Sequence, residues 1–296
     1  MSIREVPTLL LTCLRCIGKQ PGAHLTEQTV ARAFRNTPRE TRAHITRIVV
    51  DQVTDAGRYV DDAVPVGLFD TESASIDIKN SKVSATYIKS LVDKSAVLEE
   101  LNVSGCFQVD DDIVTYIIQK CRKLRKLNIQ NCRKLTDKCL EDISSSGLQL
   151  VSLDIGGNMN MTEQGVVRFL KSYPSAQSLK ELNLSGLPVT ETVLQALVDR
   201  CRAVETLGIA YALVHEEDVK QLLSRIGHRL KKLNIAWLPC NDTSDTYSIS
   251  FFDHINATCP VLVALDLSGM RTVTAATLQK FLEARGLQVC TIRVNE

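Results

Sequence analysis

The stretch CRKLRKLNIQNCRKLTDKCLEDI, Cys121 to Ile143, carries two patterns of different period. Leu124, Leu127 and Ile129 follow L-x-x-L-x-L, and the last two alternate with polar residues, as in a short strand with one buried face. Cys139, Leu140 and Ile143 then fall one, three and four residues apart, on one face of a helix. Thr136 stands just ahead of Asp137, an N-cap followed by a favourable first-turn charge.

The same unit recurs outward in both directions. L-x-x-L-x-L begins at Leu98, Leu124, Leu150, Leu179, Val204, Leu230 and Leu262, at intervals of 26, 26, 29, 25, 26 and 32 residues. Degenerate units begin at Ser75 and Leu287. Each strand pattern is followed by an amphipathic helical one, several headed by Thr (Thr136, Thr162, Thr190, Thr274). One strand and one helix cannot bury their leucines alone, whereas stacked units share a continuous core. Periods in the twenties with this pattern are the signature of leucine-rich repeats. The expected fold is therefore α/β, a leucine-rich-repeat solenoid of right-handed strand–helix units with a concave parallel sheet, behind a short α-helical N-terminal segment.

Cys106 and Cys132 follow the strand, while Cys121, Cys201 and Cys259 close the helix. In this the chain resembles the cysteine-containing leucine-rich repeats of F-box and elongin–cullin substrate receptors, from about Ser75 to the C-terminus. Asn158, Leu187, Ala212, Leu238 and Met270 depart from the strand-end cysteine. Leucine-rich repeats are binding scaffolds, and the fold alone names no ligand.

Three parts are expected: residues 1–50 a helical cap or docking segment, 51–74 an acidic connecting loop, and 75–296 the repeats. Within the first, TLLLTCLRCI (Thr8 to Ile17) is similar to the BC-box, (S/T/P)-L-x-x-x-C-x-x-x-(A/I/L/V), at Thr8, Leu9, Cys13 and Ile17. Spacings of four put Leu9, Cys13 and Ile17 on one helical face. The resemblance implies docking to elongin C, with a second motif around Pro38 touching the cullin. The competing reading makes the same helices a cap over the first repeat.

Composition excludes several classes. Lys and Arg number 35 against 34 Asp and Glu, so no basic field recommends nucleic acid. LLLTCLRCIG, near the start, is interrupted by Arg15 and too short to span a bilayer, and neither a membrane partner nor a signal peptide is expected. Ten cysteines set in apolar periodic segments read as small buried hydrophobes in a reduced, cytoplasmic or nuclear protein. Cys13-x-x-Cys16 has no second pair at zinc spacing, and His215 aligns with the N-cap threonines of its siblings. No catalytic motif is present, and no enzyme activity, metal or cofactor is expected.

The strand alternation places a column of Asn102, Asn128, Asp154, Asn183, Gly208, Asn234 and Asp266 on the concave face. A second column (Ser104, Gln130, Gly156, Ser185, Ala210, Ala236, Ser268) is small. The position after it reads Gly105, Asn131, Gly157, Gly186, Tyr211, Trp237 and Gly269. Tyr211 and Trp237 stand in adjacent repeats, beside the insertion LPCNDTSDTYSISFF, and mark the expected recognition site. Two alternatives stay open there: the rings bind a partner, or they pack beneath the inserted loop. Two also stay open for the whole chain. One is a substrate-recognition subunit of a cullin-RING ubiquitin ligase, partnered by an elongin C/cullin adaptor and a client. The other is a structural scaffold in an axonemal or organellar assembly.

Overall fold

The computed structural model describes residues 39–64, 66–69, 74–95, 97–239, 249–270, 275–285 and 291–293. The chain divides into two compact units, Met1–Leu135 and Thr136–Glu296.

The first unit runs α1 (Arg39–Asp55), α2 (Val60–Ala63), β1 (Ser75–Asp77), α3 (Ala85–Lys94), β2 (Glu100–Asn102), α4 (Asp111–Lys120) and β3 (Lys126–Asn128). Its strands are parallel and in register, with Ile76 beside Leu101 and Leu101 beside Leu127. Helix α1 continues five residues into the stretch expected to be loop. The reason is Val53, which extends the spacing of Val49 and is buried with it. Gly57 ends the helix at φ 69°, with Gly57 N–H bonded to Thr54 O (2.8 Å) and Arg58 N–H to Val53 O (3.1 Å). That pair of bonds with a left-handed glycine is a Schellman stop. Short helix α2 and a 3-10 turn at Val66–Leu68 occupy more of the expected loop.

Helix α1 lies along the first repeat. Arg47 pairs with Asp77 of β1 at 2.7 Å, Thr54 Oγ1 meets Ser81 Oγ at 3.0 Å, and Lys82 Nζ donates to Gly57 O at 2.8 Å. Buried Ile45, Val49, Val50 and Val53 supply its apolar face. At roughly 1.5–3 kcal/mol per buried aliphatic side chain, this face outweighs the ion pair, whose side chains are 25% and 34% exposed.

The second unit runs α5 (Asp137–Ser145), β4 (Ser152–Asp154), α6 (Glu163–Ser172), β5 (Glu181–Asn183), α7 (Glu191–Arg200), β6 (Thr206–Gly208), α8 (Glu216–Ile226), β7 (Lys232–Asn234), α9 (Ile249–Thr258), β8 (Ala264–Asp266), α10 (Ala275–Arg285) and β9 (Thr291–Arg293). Strands β4 to β9 pair in parallel with Leu153, Leu182, Leu207, Leu233, Leu265 and Ile292 in one row. The leucines of this row are buried, and the helices turn their own apolar faces toward them.

The N-caps follow the sequence in part. Thr136 and Thr162 accept from the N–H groups of Lys138 and Gly165, whereas the hydroxyl of Thr190 donates to Glu163 Oε1 at 2.6 Å. His215 sits at the cap of α8, where its N–H is held by Asp218 at 2.8 Å. Thr274 lies outside the described residues. Asp137 reaches from α5 to the next helix, accepting from Thr162 N–H (2.7 Å) and Oγ1–H (2.6 Å).

A Cβ added at Gly165 would collide with that carboxylate. Gly165→Ala is therefore expected to lower stability by about 1 kcal/mol, where helix propensity alone forecasts a gain of about that size. Urea denaturation of the single variant checks the sign.

Candidate functional site

The site is built at the ends of the strands of the second unit. Past each strand the chain turns, and the turn is pinned to the next repeat. Gly186 N–H bonds Ala210 O (2.8 Å), Tyr211 N–H bonds Ala236 O (2.9 Å) and Trp237 N–H bonds Ser268 O (2.8 Å). The residue so held takes a left-handed backbone: Gly157 at φ 70°, Gly186 at 72°, Tyr211 at 62°, Trp237 at 57° and Gly269 at 72°. In the first unit Asn80, Gly105 and Asn131 do the same. Glycine and asparagine are the residues that tolerate this conformation, and a bulky side chain there costs about 1 kcal/mol.

Tyr211 and Trp237 break that rule side by side. Their rings stack, with centroids 5.8 Å apart and planes within 2°. They are 55% and 42% exposed, and residues 240–248 of the neighbouring insertion lie outside the described residues. Leu213 and Met159, each two residues past the left-handed position of its own repeat, are exposed as well. The indole also lies against Gly269, where an added Cβ would meet its Cδ2, Cε2 and Cε3 atoms. Stacking returns about 0.5–1.5 kcal/mol, close to the two strain terms, so the pair adds little to stability. Both rings thus belong to the turn following the strand, not to the strand face itself.

The strand face beside them is a groove of about 490 Å³ that runs over β4 to β8. The expected Asn/Asp column lines it, but its side chains are partly committed to the fold. Asp154, Asn183, Asn234 and Asp266 each accept, through Oδ1, the backbone N–H two residues on at 3.0–3.1 Å. Asn102 and Asn128 do likewise in the first unit. These are turn-forming side chains first. At Gly208 the column has no side chain, and Ser185 Oγ of the preceding repeat takes the Ala210 N–H at 3.1 Å instead. Burial raises the carboxyl of Asp154, and the hydrogen bonds from Asn183 and Gly156 pull it back part of the way.

Glu181 and Lys232 also line the groove and were absent from the expected site. They could have been read from the pattern, because each lies two residues before a column residue and so shares its face. Thr8, Leu9, Cys13, Ile17 and Pro38 lie outside the described residues.

The described cysteines are buried and unbridged. Cys106 and Cys132 donate their thiols to Ile78 O (3.2 Å) and Val103 O (3.3 Å) of the preceding repeat. Burial pushes the thiols of Cys106, Cys132 and Cys201 up to about 12 and that of Cys121 up to about 11, far from a reactive thiolate. Among the described residues no cluster of His, Cys, Asp and Glu could hold a metal ion.

A leucine-rich-repeat family model matches residues 120–144, the stretch whose two periods carry the fold. The repeating strand–helix units have the leucine-rich-repeat fold. The leucine-rich-repeat chain is 26% identical over 199 residues to the DNA repair protein rhp7 of Schizosaccharomyces pombe. The match takes in 64% of this chain and 34% of that protein, so the chain spans about a third of the length of the curated relative. The crystal structure of the yeast Rad7 and Elc1 complex aligns over 99% of this chain and 90% of that one, at 15% identity and a TM-score of 0.47. The leucine-rich repeats of this chain resemble the repeat domains of substrate receptors. No helix among its described residues is long and apolar enough to cross a membrane.

Proposed function

We infer that this chain is the substrate-recognition subunit of a cullin-RING ubiquitin ligase. Thr8, Leu9, Cys13 and Ile17 are the BC-box positions that dock elongin C, and the segment around Pro38 meets the cullin. A client is held on the strand side of the repeats, and the chain performs no bond chemistry itself. The observation that carries this reading is the BC-box pattern placed ahead of a leucine-rich-repeat array. The two halves of the reading fit: one short helix supplies the adaptor contact, and the repeats supply a broad binding face. A role in DNA repair is carried over from the name of the fission-yeast relative.

The second reading, a scaffold subunit of a larger assembly, draws on α1. Its apolar face is spent on the first repeat, as a cap requires.

Affinity purification from native extract with mass spectrometry separates the two. The wild-type chain is expected to recover elongin C and a cullin. A Leu9→Ser/Cys13→Ser variant, shown to be folded by circular dichroism, is expected to lose both. Recovery of neither by the wild type, or retention of both by the variant, overturns the ligase reading. Partners at fixed stoichiometry without a cullin support the scaffold.

A further inference from the structure

The aromatic pair has one open face. Trp237 is covered on one side by Gly269 and on the other by Tyr211. Among the described residues, the ring that stacks on Tyr211 is Trp237. Toward the preceding repeat stands Gly186, where an added Cβ would meet only atoms of Gly157, at 3.4 and 3.5 Å. A slot therefore lies before the tyrosine ring, floored by backbone and open to solvent. The backing indole holds the phenol flat.

The groove beside the slot is charged unevenly. Its ionisable lining is Asp154, Glu181 and Asp266 against the single ammonium of Lys232. Glu181 is fixed by Ser152 Oγ–H at 2.8 Å, and Asp266 by its own Ser268 hydroxyl at 2.7 Å. The carboxylates are thus positioned rather than floating. A flat aromatic face next to an acidic groove selects a group that is both planar and cationic.

We propose that the second unit binds an extended basic segment of a partner protein, with an arginine guanidinium stacked on the open face of Tyr211 and a second basic side chain paired with the carboxylates of the groove. The segment lies across the strand ends, and at Gly208 the groove floor is made by the side chains of Asn183 and Ser185 from the preceding repeat. That the partner is a ligase client rests on the receptor reading; the chemistry of the site does not.

Trp237 is the only tryptophan in the chain, so its emission reports on the site directly. The probes are acetylated, amidated Gly/Ser peptides carrying two arginines one to three residues apart, with citrulline and glutamate counterparts. Wild-type full-length chain is expected to give a saturable change in Trp237 emission, and matching anisotropy of a dye-labelled peptide. Tyr211→Gly and the arginine-to-citrulline change are each expected to weaken binding about tenfold. Asp154→Asn/Asp266→Asn is expected to weaken it several-fold, on the order of fivefold, and to flatten its salt dependence. Gly and Asn are the residues that sibling repeats carry at these positions, so the variants keep the turn, and circular dichroism confirms it.

Wild-type affinity in folded Tyr211→Gly overturns the proposal, as does equal binding of the glutamate peptides. So does an absence of saturable binding up to about 1 mM. A change in emission that tracks dimer formation in sedimentation identifies a second copy as the occupant and overturns it too. Adaptor capture is read separately on the Leu9→Ser/Cys13→Ser variant, so failure of the ligase reading leaves the peptide result standing on its own.

Discussion

Raising the pH from 9 to 11 is expected to unfold the region around Cys106, Cys121 and Cys132 without any denaturant. Burial holds the three thiols protonated up to about 12, 11 and 12 respectively, whereas the unfolded chain releases those protons near 9. Above pH 9 the unfolded state binds fewer protons than the folded one, so stability falls as pH rises and is fully retained below pH 9. Each thiol contributes about 1.4 kcal/mol per pH unit within its window, or roughly 4 kcal/mol per unit for the three. Two units of pH then remove about 8 kcal/mol, which lies within the range of a whole domain's stability. Buried Tyr87, whose hydroxyl donates to Val64 O at 2.6 Å and is also raised by burial, adds to the loss above pH 10. Guanidinium unfolding at pH 8, 9, 10 and 11 gives the slope. In Cys106→Ala/Cys132→Ala it should shrink by roughly half above pH 9, with Cys121, Cys201 and Tyr87 retaining the rest, on top of a pH-independent loss from the missing sulfur contacts. An unchanged slope in that variant would assign the alkaline transition to other groups.

The parts of this molecule that were legible in the sequence are those governed by local period. Leu127 and Ile129 alternate, Leu140 and Ile143 share a helical face, and both patterns repeat, so strands, helices and their order follow. The buried cysteines were legible for the same reason. The site was less so. An Asn or Asp two residues ahead of a small residue is as much a turn signature as a ligand contact, and at Asn183 and Asn234 the side-chain oxygen is held by the turn. The run Gly, Asn, Gly, Gly after the strand reads as a column of small residues. Its common property is a left-handed backbone, and in that light Tyr211 and Trp237 become strained exceptions. Helix α1 ran past its expected end because Val53 lies among polar neighbours, and only its burial shows which face it joins. The groove charges depend on which side chains adjacent strands bring together, a property of the stack rather than of one segment.

Tyr173 was hidden for a further reason: its role is set by something its neighbour lacks. In most repeats the residue that begins L-x-x-L-x-L is tied to the end of its own helix, as in Leu124 N–H to Cys121 O at 3.1 Å and Leu262 N–H to Cys259 O at 3.3 Å. Helix α5 ends in Ser-Ser-Ser-Gly with no such closing residue, and the Leu150 N–H is taken instead by the hydroxyl of Tyr173 from the following repeat, at 2.9 Å. The same hydroxyl donates to Leu148 O at 2.8 Å, and its ring stacks on Phe169 with centroids 5.1 Å apart. Tyr173 is fully buried. Tyr173→Phe keeps the ring and its packing but strips a partner from two buried backbone groups, which water cannot reach without opening the core. The expected loss is about 2–4 kcal/mol. Tyr116→Phe is the matched control. It removes a hydroxyl bonded to Asp93 at 2.6 Å on an exposed surface, where solvent replaces the bond, and should change stability by less than about 0.5 kcal/mol. Urea denaturation of both variants decides the matter, because equal losses would mean that the hydroxyl of Tyr173 is not the strut that replaces the missing helix end.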